Sequence, residues 1–168
     1  MRARAGWILL PLYAALCVPA LAQGLIEELE GFAGLTGTTW VGRFTSEPAP
    51  PFDHVIQWEK ILSGQAVRWS KRVDAVGFAM ETVFYWDGER DAVAFLQLAS
   101  NGVHGEGIVV FEEAVISLEG QALQPGGRVA FRQTFEILPD GHLEDRYYRR
   151  IGDRWAPEHV IVYERCCE

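Results

Sequence analysis

One histidine and one glutamate stand two residues apart in the segment "ASNGVHGEGIVVF", residues 99–111. On a strand, His104 and Glu106 would point to the same side, roughly 7 Å apart, and could share a substrate or supply two metal ligands. A metal site needs three or four ligands, and no further ligand lies at motif spacing. Val109 and Phe111 have the opposite parity, so if they face an interior, the His–Glu pair faces water. We therefore expect the surrounding glycines to bend a curved strand at a rim.

Motifs for nucleophilic catalysis are absent from the sequence. None of the serines stands in a Gly-x-Ser-x-Gly elbow. Glu112 and Glu113 are adjacent, so on a strand they point to opposite faces and cannot act as a pair. No phosphate-binding glycine loop precedes a helix. Nothing in these patterns favours an enzyme over a binding protein.

Gln133 interrupts an apolar stripe on its own strand. Four apolar residues of that segment share its face, namely Val129, Phe131, Phe135 and Ile137. A buried amide must be hydrogen-bonded, or it costs about 1–3 kcal/mol. Gln133 is therefore either a satisfied core amide or the polar group of an otherwise apolar ligand pocket.

The elements that would position these residues are short strands. After one short amphipathic helix containing Leu25, Leu29 and Phe32, roughly ten strands follow at the spacing of about 8–12 residues that is typical of all-β folds. Nearly every connection is a tight turn such as "NG", so consecutive strands should pair as hairpins. A meander of this kind closes most readily into a barrel, which removes its edges. We predict an all-β, up-and-down antiparallel barrel of about eight to ten strands.

The inward faces of this barrel are rich in aromatic residues. A barrel of this size holds either filling side chains or one small ligand. We expect a small apolar or amphipathic molecule as the partner, and a packed structural barrel with no ligand is the other interpretation. The residues expected to contact the ligand are Trp58, Trp69, Phe84, Trp86, Phe131, Gln133 and Phe135.

The first residues resemble an export signal. Two arginines precede the apolar run Trp7–Val18, and Ala20–Ala22 forms a small-residue cleavage site. We predict a signal peptide at residues 1–22, a barrel domain at 23–168, and a periplasmic or secreted protein that does not insert into the membrane after cleavage. The signal holds two of the 15 basic residues and none of the 23 acidic ones, which leaves a formal charge of about −10. That charge excludes nucleic acid and anionic membranes as partners.

Two cysteines remain after cleavage, and they are adjacent at the end of the chain. Neighbouring cysteines pair with each other only under strain, because their Cα atoms lie about 3.8 Å apart. We expect tail thiols that could link two chains through Cys166 or Cys167 in an oxidising compartment.

The motifs "GTTWVG", "YWDGERD", "NGVHGEG" and the terminal "VYERC" together resemble the lipocalin-like (calycin) superfamily, in particular its uncharacterised exported bacterial members. The resemblance implies a ligand-binding barrel in which Trp40 packs at the closed end under Arg165. Two residues rather than one separate Gly37 from Trp40 here.

The last strand is also similar to that of the nitrobindin-like haem-binding barrels. In "HVIVYER", His159 precedes Arg165 by six residues. That resemblance implies haem as an alternative cofactor with His159 as its iron ligand, whereas otherwise His159 is a polar residue at the start of a strand. The main prediction remains an exported barrel that binds a small ligand without catalysis and without a cofactor.

Overall fold

The computed structural model describes residues 24–46 and 48–166, so the predicted signal peptide and Cys167 lie outside the described residues. Short 3-10 helices span Glu27–Phe32, Leu62–Gly64 and Asp74–Val76. The strands of the described chain are β1 (Thr38–Phe44), β2 (His54–Ile61), β3 (Ala66–Val73), β4 (Phe78–Asp87), β5 (Ala92–Ala99), β6 (His104–Glu112), β7 (Val115–Gln124), β8 (Gly127–Ile137), β9 (Leu143–Ile151) and β10 (Arg154–Cys166).

All neighbouring strands pair antiparallel in chain order, and β1 pairs with β10 to close the barrel. The prediction of an all-β up-and-down barrel is confirmed. The tight turns that the sequence indicates supply this order. Gly102, in the "NG" turn between β5 and β6, takes the left-handed φ of 83° that such a turn requires.

The helix Glu27–Phe32 covers one end of the barrel, which we call the closed end. Its side chains Leu29 and Phe32 are fully buried, and Phe32 packs 4.6 Å from the ring of Phe84. The predicted N-terminal helix is thus present, but as a 3-10 helix. No helix in residues 24–46 and 48–166 is long and apolar enough to cross a membrane.

Trp40 lies at the closed end, as the calycin resemblance implies. It is opposite Arg165 in the β1–β10 register, and the guanidinium carbon of Arg165 lies 5.9 Å from the centre of the indole ring. The indole Nε1–H of Trp40 donates to Thr38 Oγ1 at 2.6 Å. The contact with Arg165 links the last strand to the first, in addition to the backbone pairing of β1 with β10.

The glycines around His104 and Glu106 make room for an aromatic ring inside the barrel. Gly107 of β6 is directly opposite Gly120 of β7, and a Cβ atom on Gly107 would lie 2.8 Å from the ring of Phe95. His104 and Glu106 are exposed on the outer face, where Glu106 pairs with Arg128 at 3.2 Å. The outer placement expected for this pair is the one observed.

Candidate functional site at the open end

Most of the aromatic residues predicted to bind a ligand form the packed core of the closed half. Trp58 stacks on Trp69 with ring centres 5.6 Å apart, and Phe135 meets Trp58 edge-on at 5.2 Å. Phe84 lies 5.8 Å from Trp58. Trp86 is half-buried at the margin of this core. Their contact with a ligand stays a prediction, because these rings mainly contact one another.

Phe131 and Gln133 lie nearer the other end of the lumen, which we call the open end. Phe131 stacks on Tyr147 with centres 5.5 Å apart. The amide Nε2–H of Gln133 donates to Asp145 Oδ1 at 2.7 Å. Gln133 is therefore a hydrogen-bonded interior amide, and its partner is a fully buried carboxylate.

A buried ion pair crosses the lumen beside Gln133. Lys71 Nζ lies 3.6 Å from Asp145 Oδ2, with 8% of the lysine side chain and none of the aspartate side chain exposed. This separation is longer than a hydrogen bond. Burial lowers the pKa of Lys71, and the charge of Asp145 opposes that shift. An ion pair this deeply buried is costly to desolvate, and its charged groups are candidates for a functional site.

Tyr163 faces the same carboxylate from β10. Its hydroxyl is buried and closes no hydrogen bond of standard geometry with another described residue. Burial raises the pKa of Tyr163 well above its usual value, and the nearby charge of Asp145 adds to the shift. The phenol therefore stays protonated and can donate.

His54 completes this group of four residues, Lys71, Asp145, Tyr163 and His54, which we call the inner cluster. Only 5% of His54 is exposed, and neither ring nitrogen has a hydrogen-bond partner in the described part of the chain. Burial lowers the pKa of His54 to about 4, with further contributions from Lys71 and His159. The imidazole is neutral at neutral pH.

His159 lies just outside the inner cluster, in the wall of the open end. Its ring stacks on Tyr147 at 5.2 Å and 5°, and the edge of Phe44 meets it at 5.3 Å. Burial is the main cause that lowers the pKa of His159, and Lys71 acts in the same direction, whereas Asp145 opposes it. Its imidazole is thus held in one orientation.

A cavity of about 630 Å³ opens at this end of the barrel. It is broadly open to solvent, its wall contains both apolar and polar side chains, and Arg149 forms an ion pair with Glu158 on its rim. It is lined by Phe44, Ser46, Pro48, Pro50, Arg149, Ile151, Ala156, Pro157, Glu158 and His159. Phe44 also packs edge-on against His54 at 4.6 Å, so this ring separates the cavity from the inner cluster.

A smaller cavity of about 310 Å³ lies at the closed end, beside the helix Glu27–Phe32. Apolar side chains make up most of its wall, among them Leu35, Phe111, Ile116, Phe135, Ile137 and Leu143. It offers no buried titratable group, and so it lacks the mixed character of the open end.

The described residues contain no group of three or more His, Cys, Asp or Glu side chains that could hold a metal ion. Cys166 ends β10, next to the closed end, and Cys167 lies beyond the described residues. The disulfide-linked dimer stays a prediction.

The sequence prediction missed Lys71, Asp145, His54 and Tyr163. Each lies on the inward face of its strand together with apolar residues. Lys71, for example, shares the inward face of β3 with Val67, Trp69 and Val73. A charged residue at an inward position, as at Lys71 and Asp145, was the feature of the sequence that could have identified this site.

No family model and no curated protein matches this chain. The crystal structure of Rv2717c from M. tuberculosis is similar to it, with a TM-score of 0.55 at 18% sequence identity, over 85% of this chain and 99% of that chain. At this identity the similarity shows the fold alone. The chain shares a closed β-barrel architecture with that protein, and calycin membership stays a prediction.

Proposed function

We propose that this protein binds a small amphipathic molecule at the open end of its barrel and has no chemistry of its own. The cavity of about 630 Å³ between β1, β9 and β10 is the observation that carries this proposal. Its volume lies within the range of about 300–1,000 Å³ that is usual for small-molecule sites. Phe44, Ile151 and the prolines offer an apolar surface for a hydrocarbon body, and the buried polar groups beneath Phe44 offer partners for a polar end.

A pair of matched substitutions tests where the ligand lies. Ile151 and Ile137 are exposed by 62% and 44%, at the open and closed ends, so either tolerates an aspartate. We expect Ile151→Asp to weaken binding of the fluorescent amphiphile N-phenyl-naphthylamine at least about tenfold, because the new carboxylate enters the apolar wall. Ile137→Asp and the outer-wall control Leu98→Asp should bind it as the unmodified protein does.

The same titration can contradict the proposal in two ways. If Ile137→Asp alone weakens binding, the ligand occupies the smaller cavity at the closed end. If the unmodified protein does not bind the probe at all, the packed structural barrel is the better interpretation.

Haem is a second candidate, favoured by one observation at His159. Burial lowers the pKa of its imidazole, which stacks on Tyr147 and is part of the cavity wall. His159 would bind the iron, Phe44 and Ile151 would supply apolar contacts, and Arg149, which pairs with Glu158, would lie in the same wall for a propionate. Bound haem would supply reversible ligation of a small molecule at iron.

Absorption spectroscopy separates this candidate from the first. Haem binding through His159 predicts a Soret band after addition of haemin that is lost in His159→Ala and kept in the surface control His142→Ala. A band that survives in His159→Ala, or no band at all, would exclude His159 as the ligand.

We further propose that the protein acts in the periplasm or outside the cell, as the predicted signal peptide indicates. A native mass spectrum of the protein purified after export tests this, because cleavage after Ala22 fixes the mass. The same spectrum would detect a co-purified lipid and a dimer that dithiothreitol separates through Cys166 or Cys167. An uncleaved chain would contradict the proposed export.

A further inference from the structure

The inner cluster contains more buried hydrogen-bonding groups than it satisfies. Both ring nitrogens of His54 and the hydroxyl of Tyr163 are buried without a hydrogen bond of standard geometry among the described residues, whereas Oδ2 of Asp145 has the ammonium of Lys71 at 3.6 Å. Buried polar groups in folded proteins are almost always paired, so each exception needs an explanation. Three such atoms in one compartment indicate that a polar group can bind there.

The donors of the cluster define the chemistry of that group. Tyr163 offers an O–H, the neutral His54 offers one N–H, and Lys71 has N–H groups beyond the one directed at Asp145. A ligand group with one oxygen acceptor carrying two lone pairs suits them best. Carbonyl oxygens of amides, ketones and esters have this form.

The charge of the cluster sets a second requirement. Lys71 and Asp145 neutralise each other, and Tyr163 stays protonated because burial raises its pKa. His54 is also neutral, since burial lowers its pKa to about 4. The cluster therefore carries no net charge near neutral pH, and an ionised head group would enter a desolvated site without a counter-charge.

Phe44 provides the connection between this cluster and the open-end cavity. Phe44 lines the cavity, and its ring centre lies 4.6 Å from that of His54 and 5.3 Å from that of His159. Phe44 is only partly buried. A ligand in the cavity would reach the cluster past this one ring.

We propose that the inner cluster is a head-group site selective for a neutral carbonyl, so that the ligand of the open end is an uncharged amphiphile of the amide, ketone or ester class. The carbonyl oxygen accepts hydrogen bonds from Tyr163 and His54, and the hydrocarbon part lies in the cavity above Phe44. This inference rests on the proposed function of the open end and specifies its ligand.

Displacement of bound N-phenyl-naphthylamine by octanamide and by octanoate at neutral pH tests the inference. The two probes have the same chain length and differ in the charge of the head group. We expect octanamide to displace the dye at a concentration at least about tenfold lower than octanoate. Tyr163→Phe and His54→Phe should each reduce that selectivity several-fold, because each removes one donor and keeps the ring. Tyr85→Phe, on the outer face, should leave the selectivity unchanged.

Failure of this inference is distinguishable from failure of the proposed function. If the dye binds but octanoate competes as well as octanamide, the head-group site is wrong while the binding function stands. If the selectivity is present but persists in both variants, the inner cluster does not recognise the head group. If the dye itself does not bind, the proposed function fails first.

Discussion

Removing one partner of the Lys71–Asp145 pair should be far more harmful than removing both. In Lys71→Met, the carboxylate of Asp145 stays fully buried beside the amide of Gln133 and the hydroxyl of Tyr163, without a counter-charge. In the double variant Lys71→Met/Asp145→Asn, the amide oxygen of the new asparagine still accepts from Gln133, and no buried charge remains. The attraction between the two charges is therefore larger than the net contribution of the pair to the free energy of unfolding.

The separation of 3.6 Å sets the size of the effect. At an effective dielectric constant of about 20, two unit charges at that distance attract by about 4–5 kcal/mol. Breaking a buried pair from one side costs about 3–5 kcal/mol, whereas neutralising both partners is often nearly neutral. We expect Lys71→Met to lower the free energy of unfolding by about 3 kcal/mol or more, and the double variant to lie within about 1 kcal/mol of the unmodified protein.

Urea unfolding at neutral pH, followed by tryptophan fluorescence, measures all four members of this cycle. Trp58 and Trp69 are buried in the core, so their emission reports loss of the barrel. Single variants that each lose less than about 1 kcal/mol, with additive effects in the double variant, would refute a strongly coupled buried ion pair.

Three further predictions concern packing and pH. Gly107→Ala should lower the free energy of unfolding by about 2 kcal/mol or more, because the added Cβ would collide with the backbone oxygen of Glu119 and approach the Phe95 ring. Gly34→Ala is the control, since its added Cβ would have its nearest neighbour 3.9 Å away, and it should be nearly neutral in the same urea titration. The folded pKa of His54, about 4, is below its unfolded value of 6.5, so stability should fall by about 3 kcal/mol as pH drops through this window. A pH series of melting temperatures should show a smaller fall in His54→Phe. Burial raises the pKa of Tyr147 to about 12, so stability should fall as pH rises from 10 towards 12, and a Tyr147→Phe variant whose alkaline melting curve matches the unmodified one would contradict this.

Alternation and turn residues were sufficient to predict the barrel. The segment Gly127–Ile137 largely alternates apolar and polar residues, Phe78–Asp87 places bulky apolar residues at every second position apart from Thr82, and tight turns leave no length for a crossover. Closure follows because a meander of that many strands otherwise exposes two edges. The position of Trp40 under Arg165 came from the calycin resemblance, and the β1–β10 register places the two residues opposite each other.

The inner cluster was not accessible in the same way, for a physical reason. Lys71 lies on β3 and Asp145 on β9, and only closure of the barrel brings their side chains together across the lumen. Local periodicity shows that Lys71 points inward but gives no partner for it. The sequence predicted Gln133 as an interior polar residue, whereas only the structure identified Asp145 as the acceptor of its hydrogen bond.

An NMR titration of the isotope-labelled protein with octanamide tests the central claim most directly, because it locates the ligand on the barrel without a variant. The proposed site predicts shifts in the backbone amide signals of Phe44, His54, Ile151 and His159 at the open end. Shifts confined to Leu35, Val115 and Leu143 at the closed end, or no saturable shifts at all, would contradict a ligand site at the open end.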